Sequence, residues 1–390
     1  MTVIPLALCS ALLVLAACGD GDDGPTGPSP DDLAAGKQTF RFDTFGDETF
    51  WTDTLRIHEV IQAAVSPLTA LGVGLKVDAD ALPPGTLESA DLDDPATTIA
   101  LLKLNAVVGL QGTVETVNGK DTLIRVGITC ALCHSTVNNS VRAGIGQRLD
   151  GWPNRDLDPG AIIALSPAAT PQQKAVYNSW GPGMYDARFN FDGQNDPSVI
   201  PPAYGLAGVN SVTFTGDGDS PAYWNRYVAG TQMHGHGSFS EPRLGIDVNN
   251  TDGTGDLVEA KLPNLEAYQL SLTAPAPPAG SFDAAAAGRG SGVFEGQGQC
   301  ATCHSGEAFT DANSGLHDPS EIPTDPTHAE RSATRMYRTT PLRGVWQHPP
   351  YFHDGSAVTL ALVVERYDAA NGLGLTAEQK ADLVEYLKSL

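Results

Sequence analysis

Four cysteines and two histidines carry the most specific chemistry in this 390-residue chain. They are Cys130-Ala-Leu-Cys133-His134 and Cys300-Ala-Thr-Cys303-His304. Two thiols at this spacing reach the two vinyl groups of one porphyrin, and the adjacent imidazole reaches its iron. Each motif therefore reads as a covalent attachment site for a c-type haem, with His134 and His304 as proximal ligands. Three rival readings fit less well. A thioredoxin-like redox pair needs one CxxC and leaves both histidines accidental. A zinc site needs four ligands, and each motif supplies three. Disulfides across the two pairs leave both histidines unexplained.

The elements that position these motifs divide the chain in two. Residues 281–390 have the spacing of a small helical domain. Phe294 precedes Cys300, and a final helix opens on Thr376 with Gln379 in the capping-box position. Leu383, Val384, Leu387 and Leu390 give that helix an apolar face. The domain is drawn at 281–390. Ala274-Pro275-Ala276-Pro277-Pro278 reads as a linker, which leaves 39–273 as a first haem domain with an extension and long loops. Within it, Trp51, Leu55, His58, Ile61 and Val65 share one face of an expected helix. With 42 glycines and 28 prolines, the expected class is mainly α with long irregular loops, built as two cytochrome c-type domains.

Composition excludes several functions. The formal charge is −23, the wrong sign for a nucleic-acid binder. No apolar run reaches the ~18 residues of a membrane-spanning helix. Residues 1–17 resemble a secretory signal, and Leu15-Ala16-Ala17-Cys18 resembles a bacterial lipobox. Residues 18–38 read as an acidic flexible tether, with the fold beginning near Thr39. An ordinary signal peptide that contains cysteine is the alternative. The expected location is the periplasm or outer cell envelope, lipid-anchored at Cys18, with no other membrane contact. Haem attachment outside the cytoplasm agrees with export.

Candidates for the remaining iron positions are several. His58 lies on an apolar helix face, where a core role competes with ligation. Met233-His234-Gly235-His236 offers a thioether ligand and two imidazoles able to act on bound peroxide as acid and base. Met336 offers a second thioether.

The stretches 300–311 (CATCHSGEAFTD), 337–356 (YRTTPLRGVWQHPPYFHDGS) and 375–390 (LTAEQKADLVEYLKSL) resemble the second haem domain of the bacterial di-haem cytochrome c peroxidase and MauG superfamily. The rest matches only in layout, and the long segment before Cys130 departs from it. The resemblance implies two c-haems, one six-coordinate and one that reacts with peroxide. It implies a sixth ligand at Tyr367, fourteen residues past His353, where peroxidases carry Met and MauG carries Tyr. It suggests Trp180 as an inter-haem tryptophan, and a calcium ion between the haems. Asp247, Asn249, Asn250, Asp252 and Asp256 supply the oxygen donors calcium wants. Asp150 stands where many peroxidases place a switchable histidine. The leading function is a di-haem peroxidase-like oxidoreductase. Its partners would be peroxide or oxygen and a small periplasmic electron-transfer protein with a basic docking face. A di-haem electron carrier and a haem oxygenase are the alternatives.

Overall fold

The computed structural model describes residues 27–251 and 253–390, so the expected signal, Cys9 and Cys18 lie outside it. Among the described residues helix outweighs strand, and the strands form five two-stranded pairs. Among the described residues no helix is long and apolar enough to cross a membrane.

The first helix, α1 (Pro30–Phe42), corrects the expected tether. Ser29 and Asp32 form a reciprocal capping box, and Pro30 occupies the first turn. The Pro/Asp/Ser composition of residues 29–32, which reads as linker, is here a helix start. The expected helix through Trp51 and Val65 is also corrected. Thr49–Thr54 forms a π-helical turn and Arg56 takes φ 57°. Helix α2 (Ile57–Ala64) starts only after that reversal. Next come α3 (Pro95–Lys103) and a long hairpin, β1 (Leu110–Val117) with β2 (Lys120–Ile128). Asn118 and Gly119 turn it with φ 52° and 79°, the twist that two-residue hairpin loops need.

Helix α4 (Ala131–His134) carries the first CxxCH. Strand β3 (Ser135–Val137) pairs antiparallel with β4 (Arg148–Asp150). An irregular region with short helices and strands comes next, closed by α5 (Leu262–Ser271). Residues 272–278 have no regular structure. The second half contains α6 (Ala284–Glu295), α7 (Leu360–Asn371) and α8 (Ala377–Ser389). The Thr376/Gln379 capping box forms as the sequence implies.

One crossing occurs in both halves. α1 packs on α5, and α6 packs on α8. Gly36 lies against the Asn264 carbonyl and the Tyr268 Cβ; Gly290 lies against the Asp382 carbonyl and the Tyr386 Cβ. Four residues past each glycine, a phenylalanine meets that tyrosine edge-on. Phe40–Tyr268 centroids are 5.6 Å apart, and Phe294–Tyr386 centroids 5.2 Å. Only glycine lets two helix backbones approach this closely.

The halves meet through buried charge and rings. Arg331 of the second half is buried against Asp186 and Asp192 of the first. Its guanidinium is one bidentate centre of a network. Trp152 and Trp346 pack edge-to-face at 6.1 Å, and Val199 N donates to His353 O at 2.7 Å.

Candidate haem sites

At the first motif, Cys130 packs against one apolar core and Cys133 against another. Both thiols are free, and burial pushes each up to about 12. Cys130, Cys133 and His134 keep some accessible surface. His134 Nδ1 is 3.1 Å from Pro201 O. A carbonyl can only accept, so the ring proton sits on Nδ1 and the Nε2 lone pair is free for a metal. Burial holds this imidazole down at about 4, which keeps it neutral. The next segment is pinned to the motif: Gly151 N donates to His134 O and Asn154 N to Cys133 O, both at 2.8 Å.

The second motif repeats the arrangement. His304 Nδ1 is 3.1 Å from Phe309 O, and burial lowers its pKa. Burial also pushes the Cys300 thiol up to about 11. Cys300, Cys303 and His304 line a cavity of ≈ 400 Å³, and Tyr367 on α7 lines it too. Tyr367 is raised by burial, with the Cys300 and Cys303 thiols adding to the shift. Met336 is half-buried and is not part of that lining. Of the two sixth-ligand candidates, the cavity brings only Tyr367 to the cysteines.

The other candidates are dispersed. Met233 is buried in the core that Cys130 packs against, and its carbonyl accepts from Trp51 Nε1. His234, at φ 62°, stacks on Phe50 at 3.7 Å. His236 Nδ1 is 2.8 Å from Thr254 Oγ1. His58 is half-buried in α2 with Nδ1 buried and unpartnered. Trp180 donates to Asn195 and packs edge-on to Tyr177 and Tyr185, all in the first half. Trp152 and Trp346 make a ring contact between the halves.

Of the expected calcium donors, Asp252 lies outside the described residues. Asp256 is held by the Val258 and Glu259 amides and pairs with Arg226. Among the described residues, the single group of three His, Cys or carboxylate ligands within reach of one ion is Cys303, Asp311 and His317. That group shares its cysteine with the haem motif.

Two residues that sequence reasoning misses sit at the first motif. Tyr185 feels the Cys133 thiol and packs on the same core. Its hydroxyl donates to Gln232 Oε1 at 2.6 Å. Gln232 ends a π-helical turn, Val228–Gln232, a distortion common at functional sites. Nothing in the local spacing distinguishes this glutamine, because its partner lies 47 residues away in sequence.

No family model matches the chain. The chain shares weak homology with a cytochrome-c peroxidase. That relative, cytochrome-c peroxidase IdrP1 of Denitromonas iodatirespirans, is 29% identical over 27% of this chain and 40% of its own length. The chain thus spans less than half of the curated relative it matches. Two solved structures are similar over 50% of this chain, each with a TM-score of 0.34. One is hydrazine synthase of Kuenenia stuttgartiensis, 20% identical, with 73% of that chain covered. The other is a MauG-like protein associated with microbial copper homeostasis, 19% identical, with 74% covered.

Proposed function

We propose that this chain is an exported di-haem c-type oxidoreductase that reacts with peroxide at the first haem and passes electrons through the second. The observation that carries the reading is the duplicated site. In each half, two free thiols stand beside an imidazole whose Nδ1 is committed to a backbone carbonyl and whose Nε2 remains available. Haem, when bound, supplies a redox-active iron. The chain's own residues fix everything else. Cys130 and Cys133, then Cys300 and Cys303, would hold the two porphyrins as thioethers. Tyr367 closes the second site; a phenol raised by burial ionises there only against a cation, and the resulting phenolate favours the ferric state. Tyr185 and Gln232 place hydrogen-bonding groups at the first site. Trp152 and Trp346 supply aromatic contact across the halves. Reducing peroxide to water takes two electrons and two protons, and a donor protein with a basic face suits a surface of charge −23. Periplasmic location and lipid attachment at Cys18 belong to the same proposal.

An electron-carrier reading is favoured by one observation: Met233 is buried in the core that receives Cys130, so a thioether lies in the same packed region.

Pyridine haemochrome should give two c-type haems per chain. Ferric EPR should show one high-spin and one low-spin signal, and peroxide should alter the high-spin signal. Tyr367→Phe should change the low-spin signal and raise that haem's potential, while Met336→Leu leaves both unchanged. Two low-spin signals inert to peroxide give the carrier reading. Fewer than two covalent haems ends both.

A further inference from the structure

The cavity beside Cys300 contains an imbalance of charge. Arg155 and Arg338 both line it, and neither has a carboxylate partner among the described residues. Arg155 Nε and Nη1 are buried without acceptors, as is Arg338 Nε. Arg338 has one side-chain bond, from Nη1 to Ser211 O at 2.7 Å. His348 lines the same cavity beside Arg155, with both ring nitrogens buried and unpartnered. This occurs in a chain with twice as many acids as bases, 46 against 23. Elsewhere its buried guanidiniums stand against carboxylates: Arg188 with Asp217, Arg331 with Asp186 and Asp192, and Arg148, although its Nε and Nη1 make no hydrogen bond, 3.2 Å from Asp78. A buried cation left unpaired is costly, so two in one cavity indicate a ligand that brings two anions. Burial alone lowers both guanidiniums, to about 10, the sign of missing counter-charge.

Arg155 also has a particular place in the chain. It belongs to the first half and follows Asn154, whose amide is bonded to Cys133 O. Its side chain nevertheless lines the cavity of the second motif. A contact made there ties the second site to the backbone of the first.

We propose that Arg155 and Arg338 receive the two propionate carboxylates of the haem carried by Cys300 and Cys303, Arg155 doing so from across the boundary between the halves. The proposal rests on the di-haem reading and deepens it. Guanidinium forks match carboxylates bidentately, so the pairing both orients the porphyrin and completes the buried charge. A cation beside a propionate favours the reduced haem, whose net charge is one unit more negative.

The test is a spectroelectrochemical titration of the loaded protein that resolves both haems. Haemochrome content is measured first, so that absence of haem is told apart from failure of the clamp. Arg155→Gln should disfavour reduction of the second haem about tenfold, a fall of about 59 mV for one electron. The first haem should be unmoved, and Arg155→Lys should recover most of the shift. Arg338→Gln should act in the same direction on the same haem. A doubly loaded Arg155→Gln protein with an unchanged second haem overturns the proposal. So does a shift confined to the first haem, which would assign Arg155 to that haem's carboxylates instead. If Arg155→Gln fails to load Cys300 and Cys303, Arg155→Lys decides: loading retained supports carboxylate pairing, and loading lost assigns Arg155 to packing alone.

Discussion

Both halves of this molecule cross two helices at a glycine, yet they differ in the length of chain between that crossing and the haem motif. In the second half, Cys300 follows Phe294 at an offset of six positions, and one 3₁₀ turn delivers the motif to its cavity. In the first half, Cys130 follows Phe40 at an offset of ninety. That insertion holds the π-turn, α2, α3 and the β1–β2 hairpin. It forms most of one apolar core, into which Cys133 packs, while Cys130 faces another. The same helix pair therefore supports a motif at an open cavity in one case and a motif enclosed by added structure in the other. Specialisation here comes from what is placed between helix and haem motif, with the helix crossing left alone.

The crossing itself gives the largest expected effect. A Cβ on Gly36 or Gly290 meets the backbone of the facing helix, which cannot move as a side chain can. Helix propensity favours alanine over glycine by ~1 kcal/mol, and overpacking costs ~1–3 kcal/mol. Backbone contact puts these sites at the upper end, so Gly36→Ala and Gly290→Ala should each destabilise by about 2 kcal/mol in denaturant titration. Gly288 and Gly292, on the same helix as Gly290, have nothing within 4 Å of an added Cβ. Alanine at either should stabilise by roughly 0.5–1 kcal/mol. If all four substitutions act alike, the shared crossing is not what holds each half together.

The second half is the more legible in sequence because its signals are local. Thr376 and Gln379 sit three residues apart, and the apolar period of α8 is unbroken. The first half hides its helix pair: α1 and α5 lie more than 200 residues apart, and Gly36 gains meaning only against Asn264 and Tyr268. The capping box at Ser29 is present in the sequence but is outweighed by the Gly/Pro/Asp composition before it. Asn118-Gly119 is a hairpin signal in its own right. Arg56 breaks the expected helix through a backbone reversal that periodicity cannot register. The CxxCH motifs are plain because two thiols and an imidazole lie within five consecutive residues. Trp152 with Trp346, and Tyr185 with Gln232, are pairs made by tertiary folding, and no spacing rule joins them.

A smaller difference between the halves should appear in acid. His328 and His348, both in the second half, are pushed down to about 3 by burial. Their unfolded value is near 6.5. Between these limits the unfolded chain binds protons that the folded chain does not. Stability from these groups is therefore full above pH ~6.5 and falls as pH drops toward ~3. His328 stacks on His353 at 5.1 Å, so His328→Phe keeps the ring while removing the titration. Its stability–pH slope in this window should be shallower by up to about 1.4 kcal/mol per pH unit, the contribution of one proton. An unchanged slope would show that His328 is protonated in the folded protein and that the second half is no more acid-sensitive on its account.

The finest contrast lies at the first site and concerns which side chain would meet peroxide under the proposed function. Sequence assigns this to His234 or His236, since an imidazole can move a proton between the two oxygens. In the folded chain, His234 lies flat on Phe50 and His236 is bonded to Thr254. Gln232 is instead bonded to Tyr185, which lies by the Cys133 thiol. An amide is neither acid nor base at neutral pH, and the Gln232 Nε2 hydrogens go to Tyr227 Oη and Thr231 Oγ1, but its Oε1 can accept a second hydrogen bond, from a peroxide hydroxyl, beside the one from Tyr185. A neutral hydrogen bond contributes about 0.5–1.5 kcal/mol, and about 1.36 kcal/mol is tenfold in rate. Gln232→Leu should therefore slow peroxide consumption about three- to tenfold, with haem content and the second haem's spectrum preserved. His234→Leu and His236→Leu should change it less than threefold. The reverse ranking would restore the histidines as the reacting groups and would mean that the 233–236 loop turns toward the haem once the porphyrin is attached. Because His234 occupies the left-handed region at φ 62°, such a turn is locally testable: His234→Gly relieves that backbone strain without supplying an imidazole, and should leave the rate near wild type only if Gln232 is the group that matters.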